Sequence, residues 1–317
     1  NRKGCPYTPL PWGATAGADR YGGQAVIEGV MMRNTRRVAV AVRNPQGEIV
    51  LRTEPLRSAI YRGAIPRIPL VRGLTMLWDA LGLGIRALMW SADVALGEEE
   101  KGGAFGGAMG WVSGLMGLAL GVGLFMVLPS LLVGLLPVPL SPLADSLLEG
   151  LVRLLLVVGY IWGIGFLPDI RRVFAYHGAE HKTINAYEAG TPLTVEAVQA
   201  HSTAHTRCGT SFLLTVVVIS VLVLAPLGQL PLLWRAVSRI LAIPLIVGLA
   251  YEWMQFSARF ADRPWMRPLV GPNLALQRLT TRPPDNGMVE VAIRALQAVM
   301  EDTTNQEAPD GTPGTVL

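Results

Sequence analysis

All four histidines of this 317-residue chain fall between positions 177 and 205, as two His-x-x-x-His pairs. The first reads His177-Gly-Ala-Glu-His181, with Glu180 inside it. The second reads His201-Ser-Thr-Ala-His205 and is followed by Thr206-Arg207-Cys208. Residues four apart on a helix share a face, with Cβ atoms roughly 5–6 Å apart. Two imidazoles at that spacing can grip one metal ion, and a carboxylate one position before the second histidine can act on a bound water. His-x-x-Glu-His is the inverted zincin pattern. If residues 173–190 are helical, His177, His181, Ile184 and Glu188 share a face with Glu180 at its edge. This spacing points to zinc or another divalent transition metal held by His177, His181 and His205, with Glu180 as general base. The competing reading is a polar histidine pair on a helix surface that binds nothing. Four histidines in one stretch of an otherwise His-free chain weigh against it.

Two further residues are candidates to complete the ligand shell. Cys208 lies three residues after His205 and beside Arg207, so it is either a soft ligand, its thiolate favoured by the arginine, or a small buried cysteine. Glu252 sits in Tyr251-Glu-Trp-Met-Gln255, near the end of an apolar stretch. An ionisable residue at membrane depth usually faces the protein interior. The alternative for Glu252 is an interfacial carboxylate paired with Arg259. Glu149, Arg153 and Arg239 form a separate polar set, which either lines a cavity or pairs structurally near the headgroups.

These residues need a frame, and the composition says which kind. The chain is 51% hydrophobic and 16% charged, with a mean hydropathy of +0.39. Soluble domains carry about 25% charged residues. The deficit is local, because long stretches have almost no charge while both ends are ordinary. That is the composition of an integral membrane protein with polar flanks. The formal net charge of +4 is therefore read by position rather than as a nucleic-acid footprint, and no basic-and-aromatic repeat suggests nucleic-acid binding. Two distant cysteines, Cys5 and Cys208, give no disulfide framework.

Four stretches approach the roughly 20 residues needed to cross hydrocarbon: Gly110–Leu132, Leu147–Leu167, Ser211–Leu230 and Val237–Phe256. Lys and Arg set their orientation. Fourteen fall in residues 1–103, four in the loop 168–210 and six after residue 256, against none in 133–146. Four spans with both termini and the histidine loop in the cytoplasm satisfy that bias. Between Pro69 and Leu96 the only charges are Arg72, Asp79, Arg86 and Asp93, spaced by seven into one narrow polar stripe. This segment is expected to be an interfacial or partly inserted helix rather than a fifth span, which would carry the basic N-terminus outside. The first span contains overlapping Gly-x-x-x-Gly spacings such as Gly110/Gly114 and Gly117/Gly121, which suit close packing within the chain or between copies.

The fold expected is mainly α: a polytopic helical membrane protein of about four spans plus an interfacial helix, with a small N-terminal β element. Residues 1–20 form a disordered segment and 21–65 a small cytosolic β domain, where Asn44-Pro-Gln-Gly47 between two strand-like runs signals a hairpin. The interfacial helix occupies 66–101, with Glu98–Gly103 as linker, and the four-span domain 102–256. A cytosolic tail follows at 257–302, with a helix from Gly287 to Met300, and then a disordered end at 303–317.

Several strings together resemble one family. They are Gly22-Gly-Gln-Ala-Val-Ile-Glu-Gly-Val-Met-Met-Arg33, Arg72-Gly73, Tyr176-His-Gly-Ala-Glu-His-Lys-Thr183, Leu193-Thr-Val-Glu196, His205-Thr-Arg-Cys-Gly-Thr-Ser-Phe212 and Leu276-Gln-Arg-Leu-Thr-Thr281. The chain is similar over about residues 20–300 to the YqhQ-like family of bacterial multi-spanning membrane proteins, a domain of unknown function described as a predicted metal-dependent enzyme. The resemblance implies motif positions at His177, Glu180, His181, His205 and Cys208, and leaves His201 outside the motif. Thr206 stands where the family string has Pro. Glu28 belongs to the family string without a role that the sequence supplies.

The expected function is a membrane metalloenzyme of the bacterial cytoplasmic membrane, hydrolysing a membrane-proximal peptide or a lipid headgroup. A transporter or channel with a histidine- and carboxylate-lined route, and a non-catalytic scaffold or assembly factor, remain open. The partners expected are the lipid bilayer and a second copy of the chain through span 110–132, and no nucleic acid.

Overall fold

The computed structural model describes residues 21–56, 68–97, 108–137, 140–205, 208–227, 230–260 and 263–305. The expectations for residues 1–20, for the 98–103 linker and for the end beyond 305 lie outside them. The described residues are mainly helical with a small antiparallel sheet, β1 (Gly22–Val26), β2 (Gly29–Arg33), β3 (Arg37–Arg43) and β4 (Ile49–Pro55), in the order β1-β2-β3-β4. The β3–β4 turn forms at Asn44–Gly47 as its residues predict. Asn44 Oδ1 accepts from the Glu48 amide at 2.8 Å, and Gly47 takes the positive φ of 87°.

The sheet is covered on both faces, which is why Val38–Val42 is buried at every position rather than at alternate ones. Val26, Met31, Val38, Val40 and Val42 face helix α1 (Val71–Leu96), through Leu83, Ala87 and Val94. Val30, Met32, Ala39 and Ala41 face the opposite layer, α5 (Pro168–Glu188) and α10 (Asn286–Asn305). The expected tail helix is thus α10, and Val289, Ala292, Ala295 and Leu296 make it part of the core rather than a peripheral arm.

Among the described residues, three helices are long and apolar enough to cross a membrane: Val112–Gly134, Pro142–Ile164 and Leu233–Ser257. At the expected third span the described residues form a shorter apolar helix, Phe212–Leu227, in which α7 (Thr210–Leu224) tightens into a 3-10 turn at Ala225–Leu227, around Pro226. The second begins at Pro142, five residues before the expected start, where Ser141 caps α4 (Pro142–Ile164) by accepting from the Ala144 amide. The first is α2 (Ala108–Val122), a π turn at Gly123–Val127 and α3 (Leu128–Gly134). Pro129 has no N–H to donate back along that helix, and the carbonyl of Phe125, four residues earlier, instead accepts from Arg153 Nε at 2.8 Å. A Cβ added at Gly117 or Gly121 would meet nothing within 4 Å, so among the described residues their spacing is not used for close packing.

The apolar helices are polar within and apolar without. Leu120, Leu155, Leu222 and Leu241 are exposed. Asp145, Glu149 and Arg153 of α4, and Arg235 and Arg239 of α8 (Leu232–Arg259), are buried. Glu149 accepts from Arg153 at 2.8 Å and from Arg239 at 2.8 Å; Arg235 pairs with Asp145 and reaches Ser130 Oγ. Arg153 also binds Ser220 on α7, so this ion network joins α3, α4, α7 and α8. The polar set of the sequence is a tight structural lattice, and its members are occupied by one another.

Candidate metal centre

Helix α5 carries the first histidine pair. Pro168 at its first turn and Asp169 beside it suit a helix N-terminus, and the helix ends before Gly190, whose φ is 66°. Alanines at 175, 179 and 186 let α10 and the sheet approach. Gly178 has a stricter task, because a Cβ there would lie 2.1 Å from the Arg282 carbonyl oxygen. The segment between α9 (Arg267–Thr280) and α10 crosses α5 at this point, with the Arg282 amide donating to the Phe174 carbonyl at 2.9 Å. Gly178→Ala is expected to lower stability by roughly 1–3 kcal/mol through the clash, read as a drop in thermal midpoint of the full chain. An unchanged midpoint would show that the crossing relaxes freely.

The rings of His177 and His181 stack edge to face with centroids 4.4 Å apart. His177 Nδ1 donates to the Thr280 carbonyl at 2.9 Å, and His181 Nδ1 to the Thr203 carbonyl at 2.5 Å. A carbonyl only accepts, so both imidazoles carry their proton on Nδ1 and turn the Nε2 lone pair away from the backbone. This is how metal-ligating histidines are oriented. His177 Nε2 lies 3.2 Å from Cys208 Sγ. One donor atom each from His177, His181 and Cys208 lies within 4.8 Å of the others. His181 is 1% exposed, and its Nε2 has no hydrogen-bond partner among the described residues. Buried polar atoms are rarely left so.

The third histidine is adjacent. The His205 ring is 5.6 Å from that of His181, and its Nε2 is also buried without a hydrogen-bond partner, 3.6 Å from Glu188 Oε2. Gln277 on α9 grips this loop with both ends of its amide: Oε1 accepts from the His205 amide at 3.1 Å and Nε2 donates to the His205 carbonyl at 2.8 Å. Helix α9 was not expected, because its Pro268 and Pro272 read as a loop in the sequence. It supplies contacts to both His177 and His205.

Glu180 Oε2 lies 3.5 Å from His181 Nε2. Its carboxylate accepts from the amide of Gly23 on β1, and a Cβ at Gly23 would lie 2.7 Å from Glu180 Cγ. Burial pushes Glu180 above the usual carboxylate range, opposed by His177 and His205. Burial likewise holds His181 and His205 below the usual imidazole range. Neutral imidazoles are the ligand form, and a carboxyl raised toward neutrality suits proton exchange.

The remaining site candidates separate. His201 is turned away, its Nε2 meeting Thr191 Oγ1 at 3.1 Å, while its carbonyl and that of Gln199 accept from Lys182 Nζ at 2.7 and 2.6 Å. Glu252 is not part of the donor group. Both of its oxygens accept from Arg72, one of them from Nε at 2.7 Å. The reason is the close crossing of α1 on α8, where Gly73 lies against Tyr251 and Arg72 falls opposite Glu252. Arg207 lies outside the described residues. Glu28 acquires a role: at the β1–β2 turn, with φ of 50°, its carboxylate pairs with Arg172 at 2.5 Å and accepts from Tyr176 Oη at 3.3 Å. It fastens the hairpin tip to α5 one residue before His177.

The model for "Protein of unknown function (DUF1385)" matches residues 68–302. "Uncharacterized protein YqhQ" of Bacillus subtilis (strain 168) is 34% identical over 294 residues, which are 88% of this chain and 92% of that one. No solved structure matches the chain.

Proposed function

Since the chain belongs to the DUF1385 family of proteins of unknown function, we propose that it is a multi-pass protein of the cytoplasmic membrane with a metal-dependent hydrolytic centre on the cytoplasmic face. The single observation that carries this reading is the convergence of His177, His181 and Cys208, with both histidines fixed through Nδ1 and a buried Nε2 on His181 that makes no hydrogen bond among the described residues. Zinc or another divalent transition metal fits two imidazoles and one thiolate. When bound it would lower the pKa of a coordinated water and polarise the bond to be cut. Glu180, beside His181 and held by the Gly23 amide, would then take a proton from the attacking water and return it to the leaving group. His205 lies just beyond the three donors and completes the shell or steadies developing negative charge. Four apolar helices, with the basic segments on one side, support four spans with the histidine loop and both termini in the cytoplasm. The substrate class in keeping with this position is a membrane-proximal peptide or a lipid headgroup. The open glycines of the first span offer a face to a second copy.

The enzyme reading is preferred to a transport route because the ion network is closed on itself and buried. Elemental analysis of the purified full chain tests it. About one transition metal per chain is expected in the wild type and in Glu180→Gln, and almost none in His181→Ala. Wild-type protein without stoichiometric metal, under conditions that exclude chelators, would sink the proposal. Gln277→Ala, which loosens the His205 loop without removing a donor, is expected to weaken metal binding by no more than about tenfold, the low end for outer contacts, because it acts through His205. Competition against a chromophoric chelator reads this directly, and wild-type affinity in the variant would leave Gln277 with a folding role alone.

A further inference from the structure

Helix α1 has three sides. Leu83, Ala87 and Val94 are buried against the sheet, and Gly73 against α8. Along one edge Arg72 reaches Glu252 and Asp79 reaches Arg33 at 3.2 Å. The third side carries Val71, Leu74, Trp78, Leu81 and Leu88, all exposed, with Trp78 at 77%. At 3.6 residues per turn these five form one apolar stripe along most of the helix. We infer that this stripe rests on a lipid surface, so that α1 lies in the plane of the membrane at the headgroup–acyl boundary with the sheet above it.

The sheet decides between lying and crossing. It packs along α1 from the Arg33–Asp79 pair to Ser91, whose Oγ accepts from the Ile27 amide at 3.1 Å. A helix that crossed hydrocarbon here would carry the sheet with it. An open sheet has an outer edge, β4 in this case, whose backbone groups would find no partner in lipid. Exposed Arg52 and Glu54 on β4 would be stranded too. Lying flat leaves all of these in water and puts only the apolar stripe into the bilayer, with an indole at the level where tryptophan is favoured. Continuity argues for lipid over a second copy of the chain. The start of α1 packs directly on α8, with Leu70 against Gly248, and the exposed Leu241 and Leu245 of α8 extend the same apolar surface.

The arrangement bears on the histidine cluster. On β1, Gln24 lies against Gly84 of α1 while its neighbour Gly23 holds Glu180 through its amide. One strand therefore separates the lipid-facing helix from the cluster. On the hydrolase reading proposed above, substrate would reach Glu180 along the membrane surface.

The test uses the full chain in lipid nanodiscs, in a Cys5→Ser background where the remaining Cys208 is buried. Single cysteines at positions 74, 78, 81 and 88 receive a fluorophore, and unsubstituted background protein corrects for labelling at Cys208. A quencher fixed near the headgroup is expected to act about equally at all four positions, while a quencher at the acyl-chain end and aqueous iodide act weakly. A steady change in depth from 74 to 88 would mean a crossing helix and overturn the inference. Strong iodide quenching throughout, or cross-linking between copies that excludes the lipid quencher, would overturn it as well. Metal content measured on the same samples is independent of these outcomes, so a failure of the membrane surface is not confused with a failure of the metal centre.

Discussion

Cys208→Ser in the full chain is expected to lower affinity for Zn²⁺ by more than about 100-fold, exceeding the 10–100-fold typical of changes behind the ligands. Serine replaces a soft anionic donor by a neutral hydroxyl in a buried place. The thiol sulfur is 3.2 Å from His177 Nε2, and no other cysteine among the described residues can replace it. His205→Ala is expected to act less, within about tenfold on the same scale of effects, because His205 lies outside the three-donor group. Competition with a chelator of known affinity checks both. The reverse order, with Cys208→Ser near wild type and His205→Ala severely impaired, would restore the three-histidine shell that the sequence alone suggests and would overturn the Cys-His-His assignment.

Glu149→Ala is expected to destabilise the apolar helices by roughly 3–5 kcal/mol, the cost of leaving a buried charge without its partner. Glu149 is 1% exposed and accepts from Arg153 and Arg239, while Arg235 lies 3.5 Å away. Without it, Arg153 and Arg239 lose the carboxylate they share, while Arg235 keeps Asp145. Each kcal/mol shifts the thermal midpoint of a domain of 150–250 residues by about 2–4 °C, so the detergent-solubilised variant should melt on the order of 10 °C below wild type. Glu149→Gln keeps an accepting oxygen and should fall between the two. A shift of less than about 2 °C for Glu149→Ala would mean that water or lipid phosphate already neutralises the arginines.

Much of this molecule is legible without coordinates. A chain with charges removed from four long stretches can bury its backbone only as helices in an apolar setting, so helix positions follow within a few residues. Single prolines shape two of these helices: Pro142 opens α4 before the expected start, and a 3-10 turn forms around Pro226 at the end of α7. Helix α9 was not legible, since Pro268 and Pro272 are a loop signal by composition yet tolerable at a first turn and on an exposed side. Val38–Val42 is buried at every position because α1 and α10 cover the two faces of β3, and no local pattern announces a cover that arrives from so far along the chain.

The candidate centre divides along the same line. By itself the sequence determined that His177 and His181 share a helix face with Glu180 beside them, because four-residue spacing on a helix is a local fact. It also marked Cys208 and His205 as residues near the start of an apolar segment. Only the tertiary structure decided which donors meet. The thiol rather than Glu252 stands beside the histidines, since α1 crosses α8 closely enough for Arg72 to take that carboxylate. His201 leaves for Thr191, and the orienting partners are the carbonyls of Thr203 and Thr280. Backbone carbonyls are the same at every residue, so nothing in a string of side chains can single them out; the path of the chain through space does.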